Sequence, residues 1–189
     1  MRIGVLGGTF DPVHLGHLLL AEGARQVLGL DRVLWVPARI SPHKRRRPHA
    51  ATQDRYRMVK LAIAGHPHFQ VSKIELNRPG PSYTIDTIRQ LRREAPKGTR
   101  WFLLLGSDAA AQLPSWREID ELKKLVHCVF IPRSVPRTKI KNVPGTVIDV
   151  ETAPISASEI RQRIKRGHTV RYWVPEGVYR YIQKRRLYR

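Results

Sequence analysis

Cysteine is almost missing from this 189-residue chain. Cys128 stands alone, so no internal disulfide can form and a reducing compartment is implied. It sits in the apolar run Leu125–Ile131, where a small buried hydrophobe is expected rather than a nucleophile. Long apolar runs are missing too. Nothing approaches the ~18 residues needed to span a bilayer, and the opening Met1-Arg2-Ile3-Gly4-Val5-Leu6-Gly7-Gly8 turns to glycine too soon for a secretory leader. A cytoplasmic protein with no membrane partner is therefore expected. Acidic residues are scarce, 15 Asp and Glu against 35 Lys and Arg, for a net charge of +20. Such a field draws polyanions but does not say which. Most of the excess is expected on solvated faces, as single-sign runs usually are.

What is present is a regular alternation. Short β-branched runs at Ile3–Leu6, Val33–Val36, Trp101–Leu105, Val126–Ile131 and Val147–Val150, with a weaker one at Phe69–Ile74, alternate with longer helical stretches. The helical stretches are His14–Leu28, Asp54–Ala64, Thr84–Glu94, Trp116–Leu125, Ser158–Arg166 and Pro175–Arg185. Continuous apolar strands alternating with helices predict a parallel α/β sheet covered on both faces. Ser156 with Glu159 forms a capping-box pattern, Gly167 a stop and Pro175 a first-turn residue. The loops Pro37–Ala50 and Arg133–Gly145 are basic and contain proline, which makes them candidate covers over a site. With no repeat in the sequence, one domain over residues 1–189 is expected, its C-terminal helical part covering about 154–189.

The first strand runs directly into Gly7-Gly8-Thr9-Phe10-Asp11-Pro12-Val13-His14-Leu15-Gly16-His17. Paired glycines let the backbone approach a ligand closely, and the helix that follows aims its positive end at the same place. A phosphate site is expected. It is not a P-loop, which needs Gly-Lys-Ser/Thr, nor a dinucleotide fingerprint, which needs G-x-G-x-x-G and an acidic residue closing the second strand; that strand ends Trp35-Val36-Pro37. His14 and His17 stand at i, i+3 and project from one helix face. Imidazoles there can donate to phosphate oxygens and stabilise charge at a five-coordinate phosphorus. A zinc pair would want a third ligand and a carboxylate base nearby, and Leu15 and Gly16 supply neither.

Residues Gly7 to Leu18 resemble the signature of the nucleotidylyltransferase superfamily, an H-x-G-H motif after a glycine-rich turn. The form G-G-T-F-D-P-x-H-x-G-H-L resembles that of bacterial nicotinate-nucleotide adenylyltransferases. Ile155-Ser156-Ala157-Ser158-Glu159-Ile160-Arg161 resembles the second nucleotide motif, I-S-S/T-S/T-x-I-R, departing from it at Ala157, and Pro42-His43-Lys44 resembles the P-x-K segment. Ser82-Tyr83-Thr84-Ile85-Asp86-Thr87 resembles S-Y-T-x-D-T, and Gly106-Ser107-Asp108 with Leu113 and Trp116 resembles G-x-D-x(4)-L-x(2)-W.

The resemblance implies a Rossmann-like doubly wound sheet and an enzyme that transfers the adenylyl group of ATP to nicotinate mononucleotide. ATP-binding residues would be Gly7, Gly8, Thr9, Phe10, His14, His17, Lys44, Gly106, Asp108, Ile155, Ser158 and Arg161. His17, His14 and Lys44 would be the catalytic members. Acceptor-binding residues would be Tyr83, Thr84, Asp108, Trp116 and Arg117, with Trp116 offering an aromatic face to the pyridinium ring. Ser156 reads mainly as a helix cap and Thr87 as an ordinary helix-start residue. Mg²⁺ is expected on the ATP phosphates rather than in a protein cage. Nicotinamide mononucleotide or another phosphate acceptor is the nearest alternative. No specific nucleic-acid partner is expected, since no RRM-like or KH-like motif accompanies the positive charge, and homo-oligomerisation is left open.

Overall fold

The computed structural model describes residues 1–42, 47–132 and 145–189. Six strands, β1 (Arg2–Gly8), β2 (Arg32–Pro37), β3 (Phe69–Val71), β4 (Arg100–Gly106), β5 (His127–Ile131) and β6 (Thr146–Val147), form one sheet in the order β3-β2-β1-β4-β5-β6. Every pairing is parallel. The helices are α1 (Leu15–Leu28), α2 (Thr52–Ala62), α3 (Thr84–Glu94), α4 (Ser107–Gln112), α5 (Ile119–Leu125), α6 (Ala157–Lys165) and α7 (Glu176–Arg185), with a 3-10 turn at Leu113–Ser115.

The two-residue period of the strands divides the core. Leu6, Val33, Trp35, Phe102, Leu104, Val129 and Ile131 face one side, against Leu20 and Ala24 of α1, Met58 and Val59 of α2, Ile160 of α6 and Val178 and Ile182 of α7. Ile3, Val5, Leu34, Val36, Leu103, Leu105 and Phe130 face the other side, against Ile85, Ile88 and Leu91 of α3 and Leu122 of α5. Both faces being covered is what the unbroken apolar strands require. Cys128 joins the second cluster, where burial pushes its thiol pKa up, in line with a packing role.

Helix ends follow local chemistry. α1 stops at Gly29 in the left-handed conformation (φ 55°), whose N–H reaches the Arg25 and Gln26 carbonyls. α6 starts on Ser156, whose Oγ accepts from the Glu159 N–H at 3.1 Å, so Ser156 is a cap as expected.

Several elements differ from expectation, β3 among them, which ends at Val71 where the run Phe69–Ile74 was expected. The stretch from Trp116 does not begin a helix: Trp116 is extended and Glu118 left-handed (φ 52°), so α5 starts only at Ile119. The short α4 and the 3-10 turn were not anticipated, because Ser107–Ser115 carries no amphipathic stripe. The edge strand β6 covers Thr146–Val147 rather than Val147–Val150, pairing with Val129 and Phe130 of β5. The loops Pro37–Ala50 and Arg133–Gly145 fall partly and almost wholly outside the described residues. Among the described residues no helix is long and apolar enough to cross a membrane.

The strand order reverses between β1 and β4, so their helices leave to opposite faces and open a crevice beyond the strands' carboxyl ends. Gly8 and Gly106 both end there.

Candidate active site

The glycine turn after β1 is built for space rather than for unusual backbone angles. Gly7 and Gly8 are not among the positive-φ residues. A Cβ on Gly7 would meet nothing within 4 Å and would stand in the cleft; on Gly8 it would strike the Phe10 ring at 2.9 Å. Phe10 itself is left-handed (φ 49°) and 2% exposed. That turn folds its ring back under the loop, 5.1 Å from the His17 ring and 5.5 Å from Trp35.

The two imidazoles stand side by side, ring centroids 3.7 Å apart. His14 is the N-cap of α1 and is buried, while His17 is half-buried on its first turn. The His14 backbone N–H donates to His17 Nδ1 at 3.3 Å. A ring nitrogen that accepts must be unprotonated, so the His17 ring donates through Nε2. Gly16 makes this packing possible. A Cβ there would meet His14 Nδ1 and Cε1 at 3.2 Å and the Ala153 carbonyl at 3.1 Å.

The second motif reaches the same place from 150 residues away. Arg161 on α6 donates from Nη1 to the Asp11 carbonyl at 2.7 Å and from Nη2 to Ser158 Oγ at 3.1 Å. It thus holds the start of α6 against the glycine turn. Together Gly7, Gly8, Thr9, Phe10, His14, His17, Gly106, Asp108, Ser158 and Arg161 line one cleft of about 360 Å³. Thr84 and Trp116 line it too. Among the described residues, Ile155, Tyr83 and Arg117 were expected on its wall and lie off it. Ile155 packs against the core, and Arg117 stacks over the Tyr83 ring at 4.9 Å beside the cleft, paired with Asp86 and Glu118. Lys44 lies outside the described residues.

A cleft lined by an imidazole pair, a glycine turn, an arginine of α6 and a tryptophan invites comparison. A family model described as cytidylyltransferase-like matches residues 5–163. A probable nicotinate-nucleotide adenylyltransferase of Thermus thermophilus is 47% identical over 100% of both chains. One of Synechococcus sp. (strain JA-3-3Ab) is 45% identical over 99% of this chain and 94% of its own length. The chain belongs to the nicotinate-nucleotide adenylyltransferases. The fold agrees: the Plasmodium falciparum nicotinic acid mononucleotide adenylyltransferase complexed with NaAD superposes with a TM-score of 0.82, covering 99% of this chain and 97% of that one, at 20% identity.

In this adenylyltransferase several residues that the motifs do not mark hold the cleft together. Arg55 on α2 is 0% exposed. Its Nη1 donates to the Thr9 and Ala38 carbonyls at 2.7 and 2.6 Å, and its Nη2 to the Arg39 carbonyl at 3.2 Å. The carboxyl ends of β1 and β2 are thereby pinned to one guanidinium. Burial lowers its pKa, and the negative charge of Asp11 opposes that.

Glu75, Ser82 and Thr87 also line the cleft. The Thr87 hydroxyl donates to Glu75 Oε1 at 2.7 Å and accepts from Arg78 Nη2 at 2.9 Å. The Arg39 N–H donates to Ser82 Oγ at 3.0 Å. Burial raises the Glu75 pKa, against the Thr87 and Ser82 hydroxyls that favour its anion. Thr87, expected as an ordinary helix-start residue, is instead 1% exposed and part of this network. The run from Asn77 to Tyr83 carries no regular element, so nothing in its sequence pattern marked the bracing.

The Gly16 contacts give a first prediction. Gly16→Ala adds a better helix former, yet its methyl group must displace the His14 ring. Steady-state kinetics should show kcat/KM lower on the order of tenfold or more, since small misplacements at a reacting centre are costly, while Tm stays near the wild-type value. Unaltered kinetics would mean the ring position does not matter.

Proposed function

We propose that the protein joins ATP to nicotinate mononucleotide, forming nicotinate adenine dinucleotide and pyrophosphate in NAD biosynthesis. The observation that carries this is the convergence of His14, His17, Ser158 and Arg161 on one cleft that Thr84, Asp108 and Trp116 also line. The acceptor's phosphate oxygen attacks the α-phosphorus of ATP. A P–O bond forms there as the bond to the bridging oxygen of pyrophosphate breaks, and the pyrophosphate leaves as an anion. No side chain has to act as nucleophile, because the acceptor phosphate is already charged.

The protein's part is alignment and charge stabilisation. Alignment alone can supply ~7–11 kcal/mol. The Nε2–H of His17 is the donor for the α-phosphate and the charge that grows on it. His14, Lys44, Ser158 and Arg161 hold the β- and γ-phosphates, and the backbone of Gly7–Phe10 lies along them. Asp108 serves the ribose hydroxyls. Trp116 offers its face to the pyridinium ring, with the backbone at Tyr83 and Thr84 meeting the ring carboxylate.

Mg²⁺ fits this site as an ion carried by triphosphate oxygens and water. Of the carboxylates on the cleft wall, Asp11 and Glu75 are buried and already accept from protein donors, whereas Asp108 is exposed and could touch the ion's water shell. When bound, the ion neutralises triphosphate charge. The chain is read as one domain, with residues about 154–189 completing the nucleotide end, and the enzyme as cytoplasmic.

The test is pyrophosphate release from ATP across a set of acceptors: nicotinate mononucleotide, nicotinamide mononucleotide, phosphopantetheine, and a sugar or glycerol phosphate. The highest kcat/KM is expected with nicotinate mononucleotide. A preference for phosphopantetheine or a sugar phosphate would refute the assignment.

A further inference from the structure

The turn that follows α7 is tied to the glycine turn of the cleft. We propose, building on the function argued above, that Tyr188 is a positioning residue for ATP: its hydroxyl latches Asp11, and through Asp11 sets the glycine turn and Arg161.

Tyr188 is 7% exposed and belongs to the main core cluster. Two non-glycine residues nearby adopt the left-handed conformation, Arg186 (φ 51°) and Tyr188 itself (φ 68°). Such backbone is unfavourable for L-residues and persists only where the surroundings over-determine it. What determines it is the aromatic ring in the core and the phenol's reach to Asp11 Oδ1, 2.9 Å away.

Asp11 is the hub of three segments. Its Oδ1 also accepts from the Ala50 N–H at 3.0 Å and its Oδ2 from the His49 N–H at 2.8 Å, where the basic loop returns to α2. Its carbonyl accepts from Arg161 Nη1 at 2.7 Å. Asp11 is 5% exposed, so losing a donor to its buried carboxylate is costly. Burial and then the adjacent Asp11 charge raise the Tyr188 pKa, with the Arg161 and Arg55 guanidinium groups acting in the opposite sense. The phenol therefore stays a donor across any working pH.

Without the hydroxyl, the buried carboxylate keeps two backbone donors and lacks a third. The guanidinium groups that can answer it are Arg55, already fixed on three backbone carbonyls, and Arg161, already on the same residue's carbonyl, while His49 Nδ1 stands 3.6 Å from Oδ2. The Arg161 guanidinium, drawn to the carboxylate, leaves Ser158 and the phosphate end of the cleft. The effect should fall on ATP and spare the acceptor.

Tyr188→Phe keeps the ring and removes only the hydroxyl, so folding should be preserved. In the full-length enzyme, steady-state kinetics should show KM for ATP about tenfold higher, the size of a lost hydrogen bond to a charged group. KM for nicotinate mononucleotide should stay within about twofold on the same reasoning. Titration calorimetry with ATP should show Kd rising in parallel with that KM. An unchanged ATP Kd, or both KM values moving together as Tm falls, would overturn the latch. The calorimetric arm needs no turnover. If the wild-type enzyme binds ATP but no acceptor elicits pyrophosphate, the transferase reading fails while the latch is still measured.

Discussion

Replacing His17 with alanine is expected to lower kcat on the order of 10²–10³-fold, the range seen when one preorganised donor is removed from a developing oxyanion. The expectation rests on which nitrogen is engaged. His17 Nδ1 accepts the His14 N–H at 3.3 Å, so in the proposed mechanism Nε2–H is the donor to the α-phosphate as it becomes five-coordinate. The same Nδ1 contact gives His17 a second duty, because it satisfies one of the N–H groups that a helix start leaves without a partner. Alanine should therefore also cost about 1 kcal/mol of stability, or roughly 2–4 °C in Tm for a chain of this size. The two duties can be separated. His17→Asn places a carbonyl oxygen near the Nδ1 position and removes the Nε2 donor, so Tm should recover while kcat does not. His17→Gln reaches toward the Nε2 position and should recover part of kcat. Steady-state kinetics and thermal unfolding on the three variants decide the matter, and full activity in His17→Ala would remove the residue from the chemistry.

The parts of this enzyme that could be read in advance are those whose signal is contiguous. β1, β2, β4 and β5 are unbroken apolar runs because helices cover both their faces, and each was expected within a few residues of where it lies. The H-x-G-H turn and the Ile155–Arg161 segment are compact motifs, and the chain topology delivers both to the carboxyl ends of the central strands. Elements without a repeating stripe were missed. Ser107–Ser115 is mostly small and polar, and its helical turns follow from where β4 ends, not from propensity. The extent of β6 is set by its single neighbour, β5.

Interior charge was the least legible feature. Nothing in the local sequence separates Arg55, which is 0% exposed, from its solvated neighbour Arg57. One faces the strand ends and the other faces water, and only the assembled layers decide which. Asp11, Glu75 and Tyr188 share this property. Asp11 and Tyr188 meet partners from distant segments, their own contact spanning 177 residues, while the partners of Glu75 lie in the irregular run and helix start that follow it.

Arg55 is where that hidden chemistry should weigh most on stability. None of the ion pairs found among the described residues includes it, and its guanidinium instead fills the donor needs of the Thr9, Ala38 and Arg39 carbonyls. Arg55→Met would leave an apolar chain of similar length against those carbonyls and against the buried carboxylate of Asp11. Removing one member of such a buried polar set costs about 3–5 kcal/mol, which corresponds to a Tm lower by roughly 6–20 °C. Arg55→Lys should recover little. An ammonium keeps the charge but offers its donors from one atom, and it cannot span the ends of two strands as a planar fork does. Thr9 belongs to the glycine turn and Ala38 follows β2 at the mouth of the cleft, so surviving Arg55→Met protein should also bind ATP more weakly. Thermal unfolding with and without ATP reads both effects: the variant should melt early and gain less from the nucleotide than the wild type does. A melting curve like that of the wild type would mean that water or a shifted backbone satisfies the three carbonyls, and that the strand ends do not depend on this cation.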